Sequence, residues 1–337
     1  MQRKKIKIVV MSLKDYLSLL YSIYSEFPIT FFFVLTQRPD LGIPAADVSI
    51  MVAIRLSHNL HSPMYFFLCG LAFSETCTTM VIIPHTLVDL LSDSKMISLP
   101  ECATQMFFFF GLAANNCFIM AAMSYDRYTA IHNPLRYSML MTRKICFQLM
   151  MASWVVGILV SLCIVIIVFS LSFCDSSIIQ HFFCDISPVV SLACDSTYLH
   201  ELVIFMLSAF VLVGSFILIM ISYVFIVTIV VKMSSAKGRY KAFSTCSSHL
   251  TVVSIHYGFA SFVYLRPKNI DSFHEDMLMA VTYTMLTPLL NPIVYSLRNK
   301  EMKLALRKVL GYANRFITQM ANKKKLEHLE NVQNFNK

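Results

Sequence analysis

The side chains whose types and spacing could do chemistry in this 337-residue chain fall into three groups. His181 stands close to Cys174, Cys184 and Cys194, and imidazole with thiolates is a zinc-binding set. Asp126 and Arg127 are adjacent at the end of an apolar run; taken alone, they could be no more than an interfacial charge pair, because arginine snorkels. Asp47, Glu75, Asn116 and Asn291 fall inside apolar stretches, where a polar side chain is costly and marks a functional site by default. The strings of hydrolases and nucleotide enzymes are absent: there is no His-Glu-x-x-His, no Gly-x-Ser-x-Gly and no P-loop. His200-Glu201 lacks its second histidine. These residues point to crosslinks, a charge pair and buried polar contacts, and not to an enzyme.

The elements that position them must live in lipid. Hydrophobic residues make up 57% of the chain and charged residues 14%, against roughly 25% charged in soluble domains. Mean hydropathy is +0.64. Such a chain cannot cover its surface with polar groups in water, and six or seven spans of about 20 residues each would use nearly all of it. The net charge of +9 suits basic cytoplasmic loops and requires no nucleic-acid partner. Six apolar blocks stand out, roughly Pro63–Leu91, Cys102–Tyr125, Ile145–Phe173, Leu202–Val231, Ser247–Leu265 and Met277–Leu297. Helices are expected, because backbone groups in lipid must be satisfied within the segment. The blocks are continuously apolar where the strands of a barrel would alternate.

Lysine and arginine in the short loops set the orientation. Arg127, Arg136, Arg143 and Lys144 follow the second block; Lys232, Lys237, Arg239 and Lys241 follow the fourth; Arg298, Lys300, Lys303, Arg307 and Lys308 follow the last. The alternate loops are poorer in cations and richer in acids, with Asp93, Lys95 and Glu101, then Asp175, Asp185, Asp195 and Glu201, then Arg266, Lys268, Asp271, Glu275 and Asp276. The first set is expected inside and the second outside. Four of the ten cysteines (Cys102, Cys174, Cys184, Cys194) then face the outside, where disulfides persist. Two bridges are expected, in any of three pairings.

The N-terminal region leaves a choice. Met1–Asp15 is basic and Tyr16–Thr36 is apolar apart from Glu26 and Pro28, like a signal anchor. Leu41–Leu56 is a second candidate span, but it is short and contains Pro44 and Asp47. One crossing places the N-terminus outside; two keep it inside and give eight spans.

Four strings give a sharper reading. The second block ends in Met123-Ser-Tyr-Asp126-Arg127-Tyr128-Thr-Ala-Ile131, followed by Asn133-Pro134-Leu135-Arg136-Tyr137. The last block ends in Pro288-Leu-Leu-Asn291-Pro292-Ile-Val-Tyr295-Ser-Leu-Arg298-Asn299. Lys241-Ala-Phe-Ser-Thr-Cys246-Ser-Ser-His249-Leu250 lies between them, and His61-Ser-Pro63-Met64-Tyr65-Phe-Phe-Leu68 precedes them. This set, in this order, resembles the olfactory receptors, a branch of the rhodopsin-like G-protein-coupled receptors. The resemblance covers about Ser49 to Gly311.

The resemblance implies an all-α bundle of seven transmembrane helices, with Lys300–Leu310 as an amphipathic helix on the inner membrane surface. It implies a receptor for a small, mostly apolar volatile that activates a heterotrimeric G protein of the stimulatory olfactory type, raising cAMP, with no cofactor. Arg127 would be held by Asp126, beside Tyr128, and released toward the G protein on activation. Asn291-Pro292 would kink the last span, and Tyr223 and Tyr295 would meet in the active state. The ligand would lie against Phe109, Phe110 and Ala113 of the third span, Leu207, Ser208 and Val211 of the fifth, and Tyr257, Ala260, Ser261 and Tyr264 of the sixth. The implied bridges are Cys102–Cys184 and Cys174–Cys194. Cysteines so committed cannot offer thiolates, so no metal is expected at His181.

The chain also departs from the family's pattern. Asn, an acid, Glu and Asn are usual at the positions where it has Asp47, Glu75, Asn116 and Asn291. The simpler reading is that Asp47 belongs to an altered first helix; the alternative is a cation or proton shared with Glu75. No Asn-x-Ser/Thr sequon occurs. The expected organisation is an atypical N-terminal region (1–47), a receptor domain (48–311) and a cytoplasmic tail (312–337). The expected location is the cell membrane, multi-pass, with the N-terminus outside and the C-terminus inside. A poorly trafficked or non-functional receptor is the rival reading. A transporter ranks lower, since its internal repeats and paired broken helices are missing.

Overall fold

The computed structural model describes residues 5–8, 39–91, 96–173, 178–179, 181, 183–265, 279–280, 282–288, 294, 301–309 and 311. Its long helices are α1 (Pro39–Leu56), α2 (Pro63–Leu91), α3 (Leu99–His132), α4 (Arg143–Phe169), α5 (Tyr198–Lys232) and α6 (Ala236–Tyr264). A π-helical turn, Phe210–Gly214, interrupts α5, and another, Thr282–Leu286, follows α6. Among the described residues, α2, α3, α4 and α5 are long and apolar enough to cross a membrane.

Local signals fix where these helices start. Ser98 and Glu101 form a capping box at α3: the Ser98 N–H donates to Glu101 Oε2 at 2.8 Å and the Glu101 N–H to Ser98 Oγ at 3.4 Å. Thr142 caps α4 by accepting from the Ile145 N–H. Ser235 caps α6 by accepting from the Gly238 N–H. That cap starts α6 well before the apolar block at Ser247. Most of the cationic stretch Lys232–Lys241, read from the sequence as a loop, is therefore helix projecting beyond the apolar zone. At the other end of the bundle α4 stops at Phe169, short of the expected Phe173, which instead forms a β-bridge with Ala193.

The core is built around α3, whose buried side chains run from Cys102 to Thr129. The outward faces of α4 and α5 stay apolar, with Phe147, Ile158 and Ile166 on one and Phe216, Ile221 and Val224 on the other all exposed. In water that surface would aggregate; in a bilayer it is the lipid contact. Between α3 and α4 the close approach is made by glycine, as is common where membrane helices meet. A Cβ on Gly157 would sit 2.5 Å from the Gly111 carbonyl oxygen and 3.2 Å from the Asn115 nitrogen, both backbone atoms. The Ser161 hydroxyl seals the same seam by donating to the Phe107 carbonyl. Gly157→Ala is thus expected to force the two helices apart and to lower the amount of folded protein at the cell surface severalfold, consistent with about 1–3 kcal/mol for overpacking. Surface staining at the wild-type level would contradict this.

At the disulfide end a three-stranded sheet covers the bundle. Its central strand, β1 (Lys5–Ile8), pairs antiparallel with β2 (Met96–Ser98) and parallel with β3 (Ile178–Ile179). Ile97 and Ile179 are buried beneath it. Of the two candidates for the first span, Leu41–Leu56 is helical and packs on α2; Tyr16–Thr36 lies outside the described residues. The short helix 301–309 buries Met302 and Ala305 while Glu301, Lys303 and Leu304 are exposed, the spacing of a one-faced helix.

Candidate functional site

Near the disulfide end, α3, α4, α5 and α6 and the π-helical turn after α6 line a partly open cavity of about 40 Å³. Six of the ten residues expected at a ligand site line it: Phe110, Ala113, Ser208, Val211, Ala260 and Tyr264. Phe109 does not. It is fully buried against Phe183, ring centroids 4.8 Å apart, and so supports the loop that roofs the bundle. Leu207 and Ser261 are half-buried on the flanks, away from the cavity wall. Tyr257 also lies off the wall. Its hydroxyl is 2.7 Å from Ser215 Oγ and donates to the Cys117 carbonyl at 3.3 Å.

The sequence reading missed Val160 and Ile164 on α4 and Tyr283 after α6. The glycine seam explains the first two: it brings α4 close enough to α3 for one helical stripe to reach the cavity. Cys117 and Ala114 were legible in hindsight, because they follow Phe110 and Ala113 on the same face of α3. The lining is almost wholly apolar. Its polar atoms are the Ser208 hydroxyl, the Cys117 thiol and the Tyr264 and Tyr283 phenols.

Wall residues touch a polar layer beneath. Cys117 Sγ is 3.5 Å from His256 Nε2, and Cys117 also accepts from Tyr257. Ser215 follows the π turn directly and donates back to the Val211 carbonyl, so the irregular turn, the cavity wall and Tyr257 share one set of bonds. Single π turns recur at functional sites because they re-aim a helix face without breaking it.

The roof is covalent. Cys102 at the start of α3 is bonded to Cys184, and the Cys184 N–H donates to Gln105 Oε1 at 2.9 Å. His181 is buried edge-on to Phe183, with its Nδ1 3.1 Å from the Phe183 carbonyl oxygen. Cys194 is also in a disulfide; its expected partner, Cys174, lies outside the described residues. The neighbouring backbone nevertheless brings the two segments together, through the Phe173–Ala193 bridge and the Cys194 N–H donating to Ser172.

At the opposite end Arg127 Nη2 donates to Asp126 Oδ2 at 2.8 Å. Asp126 is fully buried and Arg127 only 13% exposed. A third residue completes the group: the Tyr137 hydroxyl, from the short helix Tyr137–Leu140, donates to Asp126 Oδ1 at 2.6 Å. Burial, and then the Asp126 charge, push the Tyr137 phenol well above its ordinary range, so it stays a neutral donor. Tyr128 is half-buried between His132, stacked at 5.3 Å, and Phe225 of α5 at 5.7 Å. Tyr223 is held by α6, its hydroxyl 2.8 Å from His249 Nδ1 with the two rings stacked. Tyr295, Asn291 and Pro292 lie outside the described residues. The sequence reading quoted the strings holding Tyr137 and His249 but gave neither a role.

The described intramembrane polar positions are enclosed. Asp47, Glu75 and Asn116 are each at most 5% exposed. Asp47 sits mid-way along an unbroken helix, and its Oδ2 has no hydrogen-bond partner among the described residues. An acid at that depth costs roughly 2.5–3.5 kcal/mol on insertion scales. Asp47→Asn is therefore expected to raise the surface amount of receptor severalfold, read by flow cytometry of the tagged chain. An unchanged or lower amount would contradict a cost at this position.

Comparison with known proteins settles the family. The sequence model of the family described as Olfactory receptor matches residues 43–312. The chain belongs to the olfactory receptor family. Human Olfactory receptor 10J4 is 53% identical over 79% of this chain and 86% of its own length. Human Olfactory receptor 10T2 is 52% identical over 83% and 88%. Mouse Olfactory receptor 10J5 is 46% identical over 92% and 99%. Among solved structures, squid rhodopsin superposes with a TM-score of 0.62 over 81% of this chain and 82% of its own, at 17% identity, a likeness of fold. This olfactory receptor is therefore a multi-pass membrane protein of the rhodopsin-like seven-helix class, a receptor for a small molecule that signals through a G protein, and not an enzyme.

Proposed function

We propose that this olfactory receptor binds a small, mostly apolar volatile in the cavity between Phe110, Ala113, Val211, Ala260 and Tyr264, and raises cAMP through a stimulatory G protein. The observation that carries the reading is the composition of that cavity: an apolar wall with hydroxyls and a thiol and, among the described residues, no charged side chain. A pocket of this kind favours weakly polar ligands over amines or acids, since neither would find a counter-charge.

The ligand acts by shifting a population between two helix arrangements. Contact with Val211 and Cys117 reaches Tyr257 and Ser215 through their shared bonds. Repacking there moves α6, which at its other end holds Tyr223 through His249. Once α6 swings out, Tyr223 leaves His249 for Tyr295, Arg127 leaves Asp126, and the cleft lined by the basic first turns of α6 admits the G protein. The N-terminus is outside and the C-terminus inside. Loop charge supports this, and so does the pairing of β1 with β2 and β3 at the end where α1 begins; an eight-span arrangement would put the basic N-terminus at the other end.

Filling the cavity tests the site. Ala113→Phe should raise the half-maximal odorant concentration at least tenfold, with the surface amount within about twofold of wild type, because the ring occupies the ligand's volume. An unshifted cAMP dose-response would move the ligand elsewhere.

A further inference from the structure

A second opening lies at the Arg127 end of the bundle. It is a groove of about 1130 Å³ between α1, α2 and α4. Arg55, in the last turn of α1, and Arg143, the first residue of α4, both line it and are both exposed. Neither has a carboxylate partner among the described residues. Among the described residues no acid lines the groove, and neither α2 nor α4, which both begin at its mouth, has an acidic residue in its first turn.

Away from the mouth the walls turn apolar. Phe66 and Phe147 line the sides, and Phe73 and Trp154 meet at the far end with ring centroids 6.1 Å apart. Gly70 forms part of the floor, where Met150 packs so closely that a Cβ would collide with it. From Arg143 to Trp154 the helix rises about 16 Å at ~1.5 Å per residue. That is half of a hydrocarbon core about 30 Å thick, the depth of one leaflet.

We propose that this groove is a binding site for an anionic phospholipid of the inner leaflet, with the phosphate between Arg55 and Arg143 and an acyl chain along Phe66, Phe147 and the Phe73–Trp154 pair. The assignment to the inner leaflet rests on the orientation argued above. Two guanidinium groups lining one groove suit phosphate, which arginine binds in forked geometry. Basic pockets between membrane helices on the cytoplasmic side recognise such headgroups. A sterol would leave both arginines without a counter-charge, and a zwitterionic headgroup brings an ammonium that offsets its phosphate.

The test uses the full-length receptor in detergent, titrated separately with phosphatidylserine, phosphatidylcholine and cholesterol, and read by native mass spectrometry and by the unfolding midpoint. Phosphatidylserine should bind about thirtyfold more tightly than phosphatidylcholine, about fivefold for each arginine. Arg55→Gln with Arg143→Gln should bring the two lipids to near parity, and Arg143→Gln alone should lose about fivefold. The corresponding double lysine variant should keep most of the preference, which separates lost charge from lost fold. Arg239→Gln, outside the groove, should leave the preference between the two phospholipids unchanged. Equal binding of the two phospholipids, a preference that survives the glutamine pair, a lysine pair as weak as the glutamine pair, or saturation by cholesterol alone would each overturn the proposal. None of these readouts depends on odorant signalling, so the site and the receptor reading can fail separately.

Discussion

Arg127→Ala is expected to abolish coupling: odorant-driven cAMP should fall by at least about 100-fold, with surface expression within about twofold of wild type. The size follows from losing the guanidinium that would meet the G protein once Arg127 has left Asp126: truncating one partner of a buried charge contact across an interface costs about 2–5 kcal/mol, where each 1.4 kcal/mol is tenfold. Expression should survive because Asp126, the group left behind, still accepts from Tyr137 at 2.6 Å. Arg127 faces the two elements expected to move: its charge lies within reach of Tyr223 on α5 and of Cys246 and His249 on α6. Cyclic AMP signalling preserved in the variant would remove Arg127 from the mechanism.

The second large effect concerns the roof. Cys184→Ser should lower surface receptor at least tenfold, and Cys102→Ser should match it. The bridge closes a sequence separation of 82 residues, and removing a native disulfide commonly costs about 2–5 kcal/mol. The roof depends on it. Phe183 packs on Phe109 and the Cys184 N–H donates to Gln105, so freeing Cys184 loosens contacts that close the cavity from above. The double variant should be no worse than either single one, since both remove the same bond. Additive losses, or surface staining near wild type, would contradict this.

How much of this was legible without coordinates varies by element. The blocks around α2, α3, α4 and α5 could be read because apolar runs of spanning length have few other uses. The start of α6 could not: its first turns are polar, and a serine cap decides the boundary. Nor could the first helix be chosen, because Asp47 and Pro44 argue against Leu41–Leu56 by composition, and only its packing on α2 favours it. Within the site, the third span yielded cavity residues by helical spacing, and the fifth and sixth yielded theirs through the family resemblance. Val160 and Ile164 stayed hidden because their position depends on Gly157 meeting Gly111, a contact between residues distant in sequence. Tyr137 and His249 were visible as letters in motifs, but their roles depend on partners that only the fold brings together: Asp126 for one and Tyr223 for the other.

We propose above that a small apolar volatile in this cavity drives nucleotide exchange on a G protein. The most direct measurement is GTP analogue uptake by a purified stimulatory G protein, mixed with membrane vesicles bearing the full chain and exposed to a panel of small apolar volatiles. The expected result is saturable, concentration-dependent exchange with at least one panel member, absent with Arg127→Ala and right-shifted with Ala113→Phe. Exchange that persists in Arg127→Ala, or no exchange with any volatile from receptor shown to be folded in the vesicles, would contradict it.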